Sequence, residues 1–207
     1  MRSSFLLLPL LLAACATQES QQESHLPNHP PGEARSPGGM VSSATPEATN
    51  AGLIVLRDGG NAVDAAVAVG FALAVSYPQA GNVGGGGFMV IRMADGRTTA
   101  IDFRERAPAA ATRDMFLDSS GNFLPERAQL GALAAGVPGT PAGLLLALEH
   151  YGSKSPADVL RPAIQLADSG FTVHPRLHSD LAEQQDQFRQ FPSTTSKWWL
   201  SWHRARC

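Results

Sequence analysis

Asn61-Ala62-Val63-Asp64-Ala65-Ala66-Val67-Ala68-Val69-Gly70-Phe71-Ala72-Leu73-Ala74-Val75 is small and apolar on nearly every face. A helix with no solvent side belongs in the middle of a protein, where short side chains let its neighbours approach closely. Asp64 is the single ionisable group in the run. Near the helix start it is expected to find a donor or to face the positive end of the dipole, as a support for the helix rather than a catalyst. Upstream, Thr45 is a favourable N-cap, Pro46 suits the first helical position with its missing donor, and Asp58-Gly59-Gly60 supplies a stop. The reading is a helix over Pro46–Arg57 followed at once by the buried one.

Downstream, Gly81-Asn82-Val83-Gly84-Gly85-Gly86-Gly87 leads into Phe88-Met89-Val90-Ile91-Arg92-Met93, then Ala94-Asp95-Gly96-Arg97, then Thr98-Thr99-Ala100-Ile101-Asp102-Phe103. Apolar and β-branched runs on either side of an Asp-Gly turn predict a hairpin. Successive glycines allow a backbone to lie closely against another segment or a ligand. They do not make a phosphate cradle here. A dinucleotide fingerprint needs a strand before the glycines and a helix after, and a P-loop ends in Gly-Lys-Ser/Thr, whereas this run follows a helix and opens a strand. Helical spacing returns over 141–151, 156–168 and 174–188, with caps at Thr140, Gly152 and Ser155. The order helix, helix, hairpin, helices implies an α/β or α+β architecture.

The chain has 207 residues, of which 43% are hydrophobic and 16% charged, with a formal net charge of -2. That is the composition of a core-forming protein, and it offers no field to gather nucleic-acid phosphates, so no nucleic-acid partner is expected. Arg2, the apolar stretch from Phe5 to Leu12, and Leu12-Ala13-Ala14-Cys15 read as a lipoprotein signal over residues 1–15. The apolar stretch is far shorter than the roughly 18 to 20 residues of a membrane span. Cleavage before Cys15 and acylation of that cysteine would anchor an exported protein in the periplasm or at the cell surface through its lipid. A plain secretory signal is the competing reading. Residues 16–39, rich in Gln, Glu, Ser, Pro and Gly, read as a tether. Cys207 is the only other cysteine, so no disulfide framework supports the domain. His174 and His178 stand one helical turn apart without a third ligand of convincing spacing; an exposed helix face is expected there, not a metal site.

Gly59-Gly60-Asn61-Ala62-Val63-Asp64-Ala65-Ala66-Val67-Ala68, Pro78-Gln79-Ala80-Gly81-Asn82-Val83-Gly84-Gly85-Gly86-Gly87-Phe88, Asp102-Phe103-Arg104-Glu105 with Ala107-Pro108, Thr112-Arg113-Asp114-Met115-Phe116, and Gly136-Val137-Pro138-Gly139-Thr140 stand in one order along the chain. Together they resemble the large-subunit signature of γ-glutamyltransferases, over roughly residues 39–170. The resemblance implies a partial N-terminal-nucleophile hydrolase fold, two packed sheets between helical layers, within a domain over residues 40–190. It implies a precursor that cuts itself, so that a threonine beginning the small subunit attacks the γ-carbonyl of glutathione or another γ-glutamyl compound. Water or an acceptor amino acid or peptide then takes the γ-glutamyl group. No metal or organic cofactor is implied. Arg104 falls where the family's arginine holds the α-carboxylate of the γ-glutamyl group, a task suited to the planar guanidinium fork. Arg106, two residues on and on the same face of a strand, is a rival, and it is the second choice because members of the family commonly carry other residue types there. Asp102 and Glu105 are read as supports for the arginine and the hairpin.

No residue of this chain matches the family's threonine nucleophile or the rest of its small subunit, so no catalytic residue is assigned. Thr194-Thr195-Ser196 superficially resembles an exposed threonine pair, yet a self-cleaved nucleophile must begin a core strand, and too little sequence follows. Residues 191–207, ending Lys197-Trp198-Trp199-Leu200-Ser201-Trp202-His203-Arg204-Ala205-Arg206-Cys207, fit neither the family nor the preceding composition. A frameshift or truncated gene is the expectation, checked by reading the adjacent DNA in the other frames for small-subunit sequence. The alternative in a different class is a non-catalytic lipoprotein that binds γ-glutamyl compounds or amino acids.

Overall fold

The computed structural model describes residues 34–194. Cys15, the signal segment, most of the tether, Thr195, Ser196, the tryptophan-rich stretch and Cys207 lie outside the described residues.

Thr45 is extended and its hydroxyl accepts the Ala48 N–H at 3.3 Å, which starts α1 (Pro46–Arg57). The same hydroxyl lies 2.7 Å from Ser76 Oγ, so the buried cap also ties the beginning of α1 to the end of α2 (Ala62–Ser76). Asp58 caps α1 and Gly59 turns the chain at φ +83°, a left-handed conformation that favours glycine. Asn61 then opens α2 with a capping box: its side chain accepts from Val63 and Asp64, and Asp64 accepts from the Asn61 N–H. Val67, Ala68 and Ala72 of α2 are fully buried. Around this axis the core is closed by Ala48 and Val55 of α1, by Leu144 and Leu148 of α4 (Thr140–Tyr151), and by Val159 of α5 (Pro156–Ser169).

The hairpin pairs β1 (Phe88–Arg92) with β2 (Thr98–Asp102) antiparallel, in register from Phe88↔Asp102 to Arg92↔Thr98. Each strand ends one residue before the sequence pattern does, because Met93 closes the turn by donating to Arg97 O at 2.9 Å, with Gly96 at φ +88°. Ile91 turns into the core, with Met89 and Ile101 packed against it, while Phe88 and Val90 remain 65% and 81% exposed. Helices with one small sheet make the described architecture mixed, as the element order implied.

Sequence reasoning needs correction at three places. Thr140 does not cap α4: it is the first helical residue, Gly139 stands at the N-cap, and no side chain caps the helix. The start of α4 is tied instead to the glycine loop, whose Gly85 carbonyl accepts the N–H of both Gly139 and Thr140 at 2.8 and 3.0 Å. The single helix read over 174–188 is two, α6 (Pro175–Glu183) and α7 (Gln185–Arg189), broken where Gln184 takes φ -89° and ψ 0°. His174 is not on a helix face: it is the N-cap of α6, its Nδ1 accepting the Leu177 N–H at 3.2 Å, whereas His178 is exposed. Short α3 (Pro125–Gln129), a 3₁₀ turn at Ala132–Ala134 and α8 (Pro192–Thr194) went unread because none is long enough to show a period. Among the described residues, no helix is long and apolar enough to cross a membrane.

Candidate functional site

Beyond Asp102 the chain makes one more ladder step. Phe103 donates to Gly87 O at 3.0 Å and accepts the Gly87 N–H at 3.3 Å. Alternation then places successive side chains on opposite sides. Phe103 packs against the core, and the Arg104 side chain is 65% exposed. The Arg104 guanidinium carbon sits 5.9 Å from the centre of the Phe88 ring, and Nε lies 3.3 Å from Glu105 Oε2. Asp102 Oδ1 accepts the Arg104 backbone N–H at 3.0 Å, fixing the turn out of the strand. So the sheet positions the arginine from three sides: an aromatic surface beside its head, a carboxylate at Nε, and a carboxylate on its own backbone. An ion pair this exposed adds little stability; it orients a fork whose terminal nitrogens it does not occupy.

Arg106 is placed differently. The ranking that set it on the face of Arg104 assumed a continuous strand, but β2 stops at Asp102 and the chain re-pairs through an isolated bridge between Arg106 and Val137. Val137 donates to Arg106 O at 2.8 Å and Arg106 donates to Val137 O at 3.3 Å. Its backbone therefore fastens the segment before α4 to the hairpin.

The second ionisable cluster is buried. Asp64 Oδ2 accepts from the Asn61 N–H and the Ser153 hydroxyl, both at 2.7 Å, and Oδ1 accepts from the Ser153 and Lys154 N–H groups at 2.8 and 3.0 Å. Burial by itself would raise this carboxyl; the hydroxyl of Ser153 and the three backbone donors outweigh it and hold Asp64 below the usual carboxylate range. Every oxygen is spoken for, so Asp64 joins the start of α2 to the turn before α5 and presents nothing to a substrate. Ser153 and Lys154 escaped sequence reasoning, since they lie 89 and 90 residues from Asp64 and carry no local mark of the pairing.

Arg104 does not line the clefts beside the helices. One, of about 520 Å³, runs between the end of α2, the loop through Gln79, Asn82 and Val83, and Leu177, Leu181 and Phe188 of α6 and α7. Another, of about 330 Å³, lies between Asn61, Val63 and β1. Arg104 instead stands on open surface among the described residues. Among them, no group of three His, Cys, Asp or Glu side chains is arranged to hold a metal ion.

Residues 48–206 match the family model described as gamma-glutamyltranspeptidase. This chain belongs to the γ-glutamyltranspeptidase family. Its similarity to the glutathione hydrolase proenzyme of Escherichia coli (strain K12) is 57% identity over 147 residues, covering 71% of this chain and 25% of that one. The crystal structure of the Helicobacter pylori gamma-glutamyltranspeptidase matches with a TM-score of 0.77 at 47% identity, over 79% of this chain and 47% of that chain. A gamma-glutamyltranspeptidase from Pseudomonas nitroreducens, solved in complex with L-DON, matches with a TM-score of 0.73 at 40% identity, over 78% of this chain and 48% of that chain. The described helices and hairpin are therefore part of the N-terminal-nucleophile hydrolase fold of this family. The chain spans about a quarter of the length of the curated relatives it matches, 25% and 24% for the first two. The family match continues into residues 191–206, whose composition departs from what precedes them.

Proposed function

We propose that this chain is the substrate-gripping part of a glutathione hydrolase. It would cleave γ-glutamyl amides such as glutathione and pass the γ-glutamyl group to water or to an amino-acid or peptide acceptor. The observation that carries this reading is Arg104, exposed at the end of the hairpin, steadied by Phe88 and Glu105, in an Asp-Phe-Arg-Glu stretch that resembles the family's own. A guanidinium there takes the α-carboxylate of the γ-glutamyl group through paired, charge-assisted hydrogen bonds. Holding the amino-acid end fixes the γ-carbonyl several bonds away, so a threonine from the small subunit attacks in an effectively intramolecular step. The small subunit must also supply the remaining walls of the open site.

The hairpin supports such a partner. Gly87 pairs with Phe103 and Met93 with Arg97, so the backbone groups of Phe88 and Val90 on one edge, and of Thr98 and Ala100 on the other, point away from the ladder. Open edges beside exposed apolar side chains associate unless covered. The chain expressed alone is expected to aggregate, and co-expression with the remainder of the proenzyme, small subunit included, to make it soluble. A monomeric, cooperatively melting product of the chain alone would contradict this.

The function itself is tested by the same co-expression, assayed for release of a chromogenic amine from a γ-glutamyl anilide. Turnover is expected. No turnover, together with Arg104-dependent binding of glutamate by the chain alone, would replace the enzyme with the non-catalytic binding protein. We further propose that the mature protein is exported and anchored through an acylated Cys15, a reading that rests on the sequence of residues 1–15. Cys15→Ala should abolish labelling by radioactive palmitate and move the protein from the membrane to the soluble fraction. Unchanged fractionation would leave a plain secretory signal.

A further inference from the structure

We propose that Phe103 is a positioning residue for Arg104: its ring is packed on the core and its backbone is closed against glycines, so that together they set the direction of the guanidinium. This rests on the reading of Arg104 given above. Phe103 is the last residue of the ladder, paired to Gly87 through both its N–H and its carbonyl. Its ring faces the N-terminal turns of α4. A Cβ on Gly143 would overlap Cβ and Cγ of Phe103, and a Cβ on Gly139 would overlap the Phe103 carbonyl. A Cβ on Gly86 would fall 2.5 Å from the Phe103 carbonyl oxygen, 2.6 Å from the Glu105 nitrogen and 2.8 Å from the Arg104 carbonyl carbon.

The strap 103–105 is thus laid between the glycine loop and the start of α4 with no room for a side chain on either wall. Gly85 closes the slot by accepting the N–H groups of Gly139 and Thr140. A phenylalanine packed among side chains tolerates shape changes because its neighbours change rotamer. Here the approaches at Gly86, Gly139 and Gly143 are main chain, which yields only by moving the loop or the helix, while the rest of the ring meets the core. With Phe103 fixed inward, alternation drives Arg104 outward, and Asp102 pins its backbone from the preceding residue. A carboxylate clamp must be held to within a fraction of an ångström for the far carbonyl to meet its nucleophile.

The test uses the chain co-expressed with the remainder of its proenzyme and two anilides, the γ-glutamyl compound and its γ-aminobutyryl analogue, which has the same acyl chain without the α-carboxylate. Gly143→Ala and Phe103→Leu are expected to lower kcat/KM for the γ-glutamyl anilide by roughly tenfold to a hundredfold, with part of the loss in kcat. The kcat/KM for the analogue should stay as it is. Combined with Arg104→Ala, neither should add a further loss, since the residue being positioned is gone. Should Gly143→Ala fail to fold, Phe103→Leu, which keeps an apolar side chain in the slot, still decides the matter. Equal losses on both substrates, or losses that add to that of Arg104→Ala, would show Phe103 to be packing alone and overturn the proposal. An Arg104→Ala variant with unchanged KM would instead remove the reading of Arg104 on which it stands.

Discussion

Asp64→Ala is expected to cost about 1–3 kcal/mol of stability, because it removes a fully buried acceptor from four donors on half-buried or exposed residues, whose loss water meets only in part. The carboxylate is fully buried and takes hydrogen bonds from the Asn61, Ser153 and Lys154 N–H groups and from the Ser153 hydroxyl. Asp64→Asn keeps the shape but turns one acceptor oxygen into a donor facing other donors, so it should recover little. Ser153→Ala removes a single bond and should cost about 1 kcal/mol. The pH dependence has a definite sign. The folded carboxyl is held below its ordinary value, so its contribution is present above the unfolded carboxylate range and fades as pH falls through the lowered folded value. Urea unfolding of the co-expressed complex, followed by circular dichroism at neutral pH and near pH 3, measures both effects. A neutral-pH midpoint unmoved by Asp64→Ala, or an Asp64→Ala deficit that persists undiminished in acid, would refute the assignment.

The parts of this fold that were legible in the sequence are those whose determinants are local. Thr45-Pro46 and Asp58-Gly59 bound α1 because a cap, a missing donor and a left-handed glycine act within a few residues of themselves. The small, apolar faces of α2 declared its central place, and the Asp-Gly turn declared the hairpin. What could not be read depends on residues far apart. The carbonyl that ties down the start of α4 comes from Gly85, and the donors around Asp64 come from the turn after the same helix. At the site, the Asp-Phe-Arg-Glu stretch pointed to Arg104 through family likeness, but the slot that aims it is assembled from Gly86, Gly139 and Gly143, which look like loop and helix glycines until the backbone is folded. Arg106 shows the reverse case, where a sound rule for strands was applied past the end of the strand.

Arg104→Ala in the co-expressed complex is expected to lose roughly 2–4 kcal/mol in kcat/KM, about a 30- to 1000-fold drop, on any substrate with the α-carboxylate. The loss should divide between the two constants. Uniform binding lost from substrate and transition state alike appears in KM, while any looseness in presenting the γ-carbonyl appears in kcat. Arg104→Lys retains the charge but not the planar fork, and it also loses much of the stacking on Phe88, so it should recover only a minor share. On the γ-aminobutyryl anilide, which carries no α-carboxylate, wild type and both variants should be alike and poor. Because Arg104 is largely exposed until a partner closes the site, the wild-type advantage should shrink as salt screens the encounter, and Arg104→Ala should be indifferent to salt. A complex in which Arg104→Ala turns over the γ-glutamyl anilide as well as wild type, at the same KM, would show that the carboxylate is held elsewhere, because no second contact can make up an energy of this size without having been present already.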